Sequence, residues 1–210
     1  MIGEELAVSV RDLRKKFGDF TAVDGITLDV KRGEIFGFLG PNGAGKSTTI
    51  RMLCGLLLPT GGTGTVGGYD IMEQPEEIKQ IIGYMSQKFS LYDDLTVEEN
   101  IDFFGGVYGV GRSRREERKR WVLEMAGLEG ERRTITRNLA TGYKQRLALG
   151  CAILHDPPII FLDEPTSGLD PEAAKLIRDL IVRLSRFEAW GVGEASAAGV
   201  SASITRSVIT

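Results

Sequence analysis

The sequence is poor in cysteine, and the little it has does not pair. Its 210 residues hold two, Cys54 and Cys151, each inside an apolar stretch, "MLCGLLL" and "LALGCAIL". That placement reads as core packing in a reducing cytoplasm rather than as a disulfide framework or metal-ligand spacing. Long hydrophobic runs are also missing. None approaches the roughly 20 residues that cross a bilayer, and nothing at the start resembles a signal peptide, so any membrane role is expected to come through a partner. Nor is there a net basic field: the formal charge is −3, which argues against nucleic acid as a partner. The local exception, "GRSRREERKR" at residues 111–120, is interrupted by glutamates and reads as a solvated helix face.

What remains is an ordinary globular composition, 42% hydrophobic and 26% charged, with 27 glycines. The length suits one α/β domain with a sub-domain inserted. "LAVSVRDL" and "ITLDVKRG" alternate in the manner of strands, and the continuous apolar run "EIFGFLG" predicts a central parallel strand buried on both faces. A helix follows from about Lys46 to Gly55. Between about Lys88 and His155 the pattern turns helical, with Thr96/Glu99 and Ser113/Glu116 spaced as capping boxes. "PPIIFLDEP" returns the chain to the sheet, and Asp170-Pro171 opens a helix on which Leu176, Ile177, Leu180, Ile181 and Leu184 predict one buried stripe.

Gly40, Gly45, Lys46 and Ser47 fit G-x-x-x-x-G-K-[ST], with a strand expected before and a helix after. Such a loop converges backbone N–H groups on phosphate oxygens at a helix N-terminus. Lys46 is expected to reach the β and γ phosphates and Ser47 to ligate Mg²⁺, with Asn42, Gly43 and Thr48 completing the nucleotide-binding loop. "IIFLDEP" puts Asp163 and Glu164 at a strand's C-terminal end, where open α/β sheets bind ligands. Asp163 would hold Mg²⁺ through water, and Glu164 would polarise the water that attacks the γ-phosphate. The expected class is an α/β P-loop NTPase.

With these motifs in place, the chain resembles the ATP-binding subunits of ABC transporters from about Val8 to Val192. "LTVEENIDFFGGVYG" and "TGYKQRLALG" look most like export systems of the ABC-2 type. The resemblance implies a mainly parallel sheet flanked by helices, with an N-terminal antiparallel β portion and a helical sub-domain at about 88–155. It places Phe17 where an aromatic ring stacks on adenine, and Gln87 where a glutamine senses Mg²⁺ and the transport partner. It makes "LATGYKQR" the signature loop, here Ala140, Thr141, Gly142 and Tyr143, which would contact ATP held by a second subunit. Ala140 lacks the usual serine hydroxyl, while Gly142 still permits close backbone approach. Asp170 of "SGLD" would cross the dimer interface, although it also suits a helix N-cap. ATP and Mg²⁺ are the implied ligands. The implied partners are a second ATP-binding subunit, as a homodimer, and a separate transmembrane permease on the inner face of the cell membrane. The implied function is an ATP-hydrolysing motor that powers an exporter.

The chain departs from that pattern twice. The family's switch histidine is missing: the one histidine, His155, precedes "IIFLDE" and reads as a helix-end or loop residue. A module that binds nucleotide but turns over little is therefore the alternative function. Residues 193–210 shift abruptly to small side chains, with a weak alternation around Val200, Ala202 and Ile204. That shift reads as an altered reading frame, or alternatively as a divergent edge strand. A sheet that lost this strand would expose apolar surface on its neighbours.

Overall fold

The structure, a computed structural model, describes residues 6–87, 91–186 and 207–210. Strands β1 (Leu6–Phe17) and β2 (Phe20–Lys31) form a hairpin on the two-residue turn Gly18-Asp19. Gly18 takes φ +56° there, a conformation that costs glycine little. β3 (Ile35–Phe36) leads through an irregular loop into α1 (Lys46–Leu53). Next come β4 (Gly61–Val66), β5 (Tyr69–Asp70), α2 (Pro75–Ile81) and β6 (Ile82–Met85). Three helices follow, α3 (Val97–Val107), α4 (Arg112–Ala126) and α5 (Thr141–Ala152). The described chain closes with β7 (Ile159–Leu162), α6 (Pro171–Arg186) and β8 (Ser207–Ile209).

The strands form an antiparallel sheet in the order β2-β1-β4-β5 and a parallel sheet in the order β3-β8-β7-β6. Both sheets bury α1. Val8, Val10 and Leu13 of the first and Ile159 and Phe161 of the second share one core with Ile50, Met52 and Leu53. The other face of the parallel sheet, through Ile160 and Leu162, packs on α5 and on Ile177, Leu180, Ile181 and Leu184 of α6. Between β6 and β7, α3, α4 and α5 close over a third core that includes Val97, Ile101, Val122, Leu123 and Leu147.

Several sequence expectations change. β7 is buried along its whole length, with strands paired on both sides, but "EIFGFLG" contributes only Ile35 and Phe36. Ile35 is 43% exposed, because β3 pairs with β8 alone among the described strands and the chain then leaves for the phosphate loop. Position 113 does not cap α4: the helix starts at Arg112 with Gly111 as N-cap and no side-chain bond. Glu116 instead meets Lys119 at 2.8 Å. The Thr96/Glu99 capping box is present. Leu176 lies off the α6 stripe, exposed, and Ala174 joins the buried side.

The basic run is a solvated face except at Arg118 and Lys119. Arg118, 2% exposed, donates to the Leu154 and Ile153 carbonyls at 2.9 and 3.1 Å and stacks on Trp121 at 4.3 Å. Lys119, also buried, pairs with Asp102 at 2.8 Å. The boundary at residue 192 and the alternation at Val200, Ala202 and Ile204 lie outside the described residues. The place a missing strand would have vacated is filled: Ser207–Ile209 runs parallel between β3 and β7, a central strand rather than an edge one.

Candidate functional site

The phosphate loop runs from Gly37 to Gly45, between a strand end and a helix start. Gly43 and Gly45 have φ +84° and +87°, which side-chain-bearing residues rarely adopt. At Gly45 space forbids a side chain as well, since a Cβ would stand 2.4 Å from the Ala22 carbonyl oxygen on β2. The loop therefore presses against the hairpin, and α1 begins at Lys46 with no side-chain cap, leaving first-turn N–H groups open. Lys46 folds back, its Nζ donating to the Gly40 and Pro41 carbonyls at 2.8 and 3.0 Å. Thr49, fully buried, ties its hydroxyl to the Gly45 carbonyl at 3.0 Å.

Opposite the loop stand the ends of β6 and β7. The Ser47 hydroxyl donates to Asp163 Oδ1 at 2.8 Å. Asp163 is 2% exposed, and its Oδ2 is buried with no hydrogen-bond partner among the described residues. Its negative charge reaches into the core: burial pushes the Cys54 thiol well above its ordinary pKa, and Asp163 adds to that rise. Glu164 takes φ +52° and accepts a hydrogen bond from Gln87 Nε2 at 2.9 Å. A buried carboxylate oxygen without a donor, beside a hydroxyl, is an oxygen donor set suited to a small hard cation. No group of three or more His, Cys, Asp or Glu among the described residues could hold a metal ion, so protein ligands would supply only part of the shell.

These elements enclose an open cavity of about 420 Å³. Of the residues expected from the sequence, Asn42, Gly43, Gly45, Lys46, Ser47, Thr48, Gln87 and Glu164 line it. Gly40 and Asp163 stand behind them, each bonded to a lining residue. Phe17 does not line the cavity; Phe20 and Ala22 do. Sequence reasoning missed Phe20, and the signal available was a second exposed aromatic in the same hairpin.

Ala140, Thr141, Gly142 and Tyr143 form the start of α5, away from this cavity. Ala140 is its N-cap and offers no side-chain bond. A Cβ on Gly142 would be 3.4 Å from that of Ala173, so this loop abuts the first turn of α6, whose N-cap Asp170 accepts from the Glu172 and Ala173 amides at 3.0 Å each. His155 follows α5 and faces elsewhere: its ring stacks on Tyr108 at 4.1 Å and its Nε2–H donates to the Ile82 carbonyl at 3.0 Å. Burial, the largest influence, lowers its pKa.

A profile of the family described as ABC transporter matches residues 23–167. The chain belongs to the ABC transporter family. Among curated ABC proteins, it is 55% identical to the probable multidrug ABC transporter ATP-binding protein YbhF of Escherichia coli, over 80% of this chain and 29% of that protein. It is 39% identical to the linearmycin resistance ATP-binding protein LnrL of Bacillus subtilis, over 85% of this chain and 57% of that one. The chain thus spans between about a third and somewhat over half of these relatives' lengths. A solved dimeric ATP-binding cassette, captured in a post-hydrolysis state with ADP and Pi, superposes with a TM-score of 0.78 at 28% identity, over 97% of this chain and 87% of that one. Like those cassettes, the ABC chain is an α/β P-loop domain. Among its described residues no helix is long and apolar enough to cross a membrane.

Proposed function

We propose that the chain binds and hydrolyses ATP as the motor subunit of a membrane exporter. The observation that carries this reading is the convergence of the phosphate loop with Asp163, Glu164 and Gln87 across one cavity. Lys46, released from its own loop carbonyls, supplies a cation to the β and γ phosphates, and the open N–H groups at the start of α1 supply the rest of the cradle. Mg²⁺ bound beside Ser47 and Asp163 would neutralise charge on the phosphate oxygens. Glu164 orients and polarises the attacking water. Its contact with Gln87 couples that carboxylate to the segment that leads into the helical region.

The reading includes a second ATP-binding subunit, whose Ala140–Tyr143 loop faces the bound ATP while Asp170 crosses the interface, and a separate permease that holds the pair at the inner face of the membrane. A relative named for Nod factor export supports the direction of transport.

A second reading, a nucleotide-binding module with little turnover, is favoured by His155. The only histidine of the sequence is held against Tyr108 and the Ile82 carbonyl, so no imidazole stands beside Glu164. ATP turnover and ATP binding by the purified chain, repeated with Glu164→Gln, decide between the two. Turnover that disappears in the variant while binding persists supports the motor. Binding with no turnover in either form supports the module.

A further inference from the structure

We infer that a second cavity, between the turn joining α3 to α4 and the turn joining α5 to β7, is a binding site for inorganic phosphate. It measures about 170 Å³, and Tyr108, Arg114, Arg118, His155 and Asp156 stand in its wall. None of these residues lines the phosphate-loop cavity. The volume is below the roughly 300 Å³ of the smallest pockets for drug-sized ligands, so a small oxyanion suits it and a nucleotide does not. Its charge favours an anion. Arg118 is fixed in the wall, with Nε and Nη2 donating to the Leu154 and Ile153 carbonyls at 2.9 and 3.1 Å. Arg114 is exposed, and its side chain has no hydrogen bond or ion pair among the described residues, so this second guanidinium is open to a ligand. Asp156 is the one carboxylate among the lining residues, and it stands 3.8 Å from Arg118 Nη2. Two guanidinium groups against one carboxylate leave the cavity net positive.

His155 selects which anion. Its Nε2–H donates to the Ile82 carbonyl, and burial lowers its pKa, so the ring is neutral at pH 7 and Nδ1 carries a lone pair. That nitrogen is buried and has no hydrogen-bond partner among the described residues. It can accept and cannot donate, and an oxyanion without a proton would meet it lone pair to lone pair. Inorganic phosphate keeps at least one O–H at neutral pH. It can donate that O–H to Nδ1 while its other oxygens accept from Arg114 and Arg118. Sulfate has the same shape and no proton to give. The ring is also a fastening, stacked on Tyr108 at 4.1 Å and bonded to β6, the strand that ends two residues before Gln87. Phosphate held here braces the joint between the helical region and the parallel sheet.

The sequence has one histidine, so the imidazole signals in an NMR spectrum report on this ring alone. The test is NMR titration of the whole chain, without nucleotide, at pH 7 and constant ionic strength, with inorganic phosphate and with sulfate, repeated for Arg114→Ala and Lys46→Ala. Phosphate is expected to shift the His155 ring signals saturably. Sulfate is expected to bind at least about tenfold more weakly, the effect of leaving one buried acceptor unsatisfied. Arg114→Ala is expected to weaken phosphate about tenfold, the size of one charge-assisted hydrogen bond, while Lys46→Ala leaves the titration unchanged. Ring signals that do not move with phosphate overturn the assignment, as do equal responses to phosphate and sulfate. A response lost in Lys46→Ala also overturns it, because the anion would then sit at the phosphate loop.

Discussion

Replacing Asp163 by asparagine should make the nucleotide-free protein more stable while destroying its chemistry. Asp163 is 2% exposed; one carboxylate oxygen accepts from Ser47 and the other is buried without a donor among the described residues. A buried polar group left unsatisfied costs about 1–3 kcal/mol, and more when charged. The amide introduced by Asp163→Asn would keep an acceptor facing Ser47 and trade an unpaired buried charge for an unpaired neutral NH2, so a recovery of about 1–2 kcal/mol, the difference between those two penalties, is expected. For a chain of this size each kcal/mol moves the melting temperature by about 2–4 °C, which gives a rise of about 2–8 °C in a thermal melt without nucleotide or divalent cation. With Mg²⁺ and ATP the order should reverse. Ligand at a hundred times its Kd stabilises by about 2.7 kcal/mol, and the variant forfeits the part of that gain that depends on the metal. An Asp163→Asn protein that melts below wild type in the absence of ligand would refute the argument, because it would mean that the carboxylate is satisfied within the fold.

Two further outcomes follow from groups outside the site. Arg118→Met should lower stability by about 2–4 kcal/mol in urea unfolding, since the Leu154 and Ile153 carbonyls lose a buried donor; a change below about 0.5 kcal/mol would restore the solvated reading of that residue. The Thr96 amide, and then its hydroxyl, hold the Glu99 carboxyl below its ordinary pKa. A depressed carboxylate stabilises above its unfolded pKa and loses that contribution as pH falls through the folded one. Glu99→Ala should therefore lower the urea midpoint at neutral pH, and the gap from wild type should narrow on acidification below the usual carboxylate range. A gap independent of pH would contradict this account of the cap.

The sequence made some of this plain because certain residue types leave little choice. Lys46 after Gly45 leaves few alternatives to a phosphate loop, and "IIFLDE" is apolar because both faces and both edges of that strand are covered. "EIFGFLG" has the same composition without the same surroundings: hydrophobicity records that a segment can be buried, and only the neighbouring strand decides whether it is. Arg118 was illegible for the opposite reason. A guanidinium within a charged run looks hydrated, and its two carbonyl partners lie 35 and 36 residues away. Ser113 followed by Glu116 satisfies the spacing of a capping box, but Gly111 starts the helix two positions earlier. Phe20 failed to stand out because exposed aromatics carry no periodicity.

The position of β8 has a consequence in time. Ser207–Ile209 is inserted in the middle of the parallel sheet, and Thr210 exchanges backbone hydrogen bonds with Phe36 and Phe38 at 2.9 and 2.6 Å. Those two residues lead directly into the phosphate loop. A chain leaving the ribosome makes the loop early and its brace more than 160 residues later, at about 5–20 residues per second. Until then β3 has no neighbour among the described strands. The antiparallel hairpin can form at once from adjacent segments, whereas the strand that braces the loop waits for the most distant strand pairing among the described residues. During synthesis, a nascent chain of this protein therefore passes through an interval in which its most recognisable motif is present without the strand that braces it.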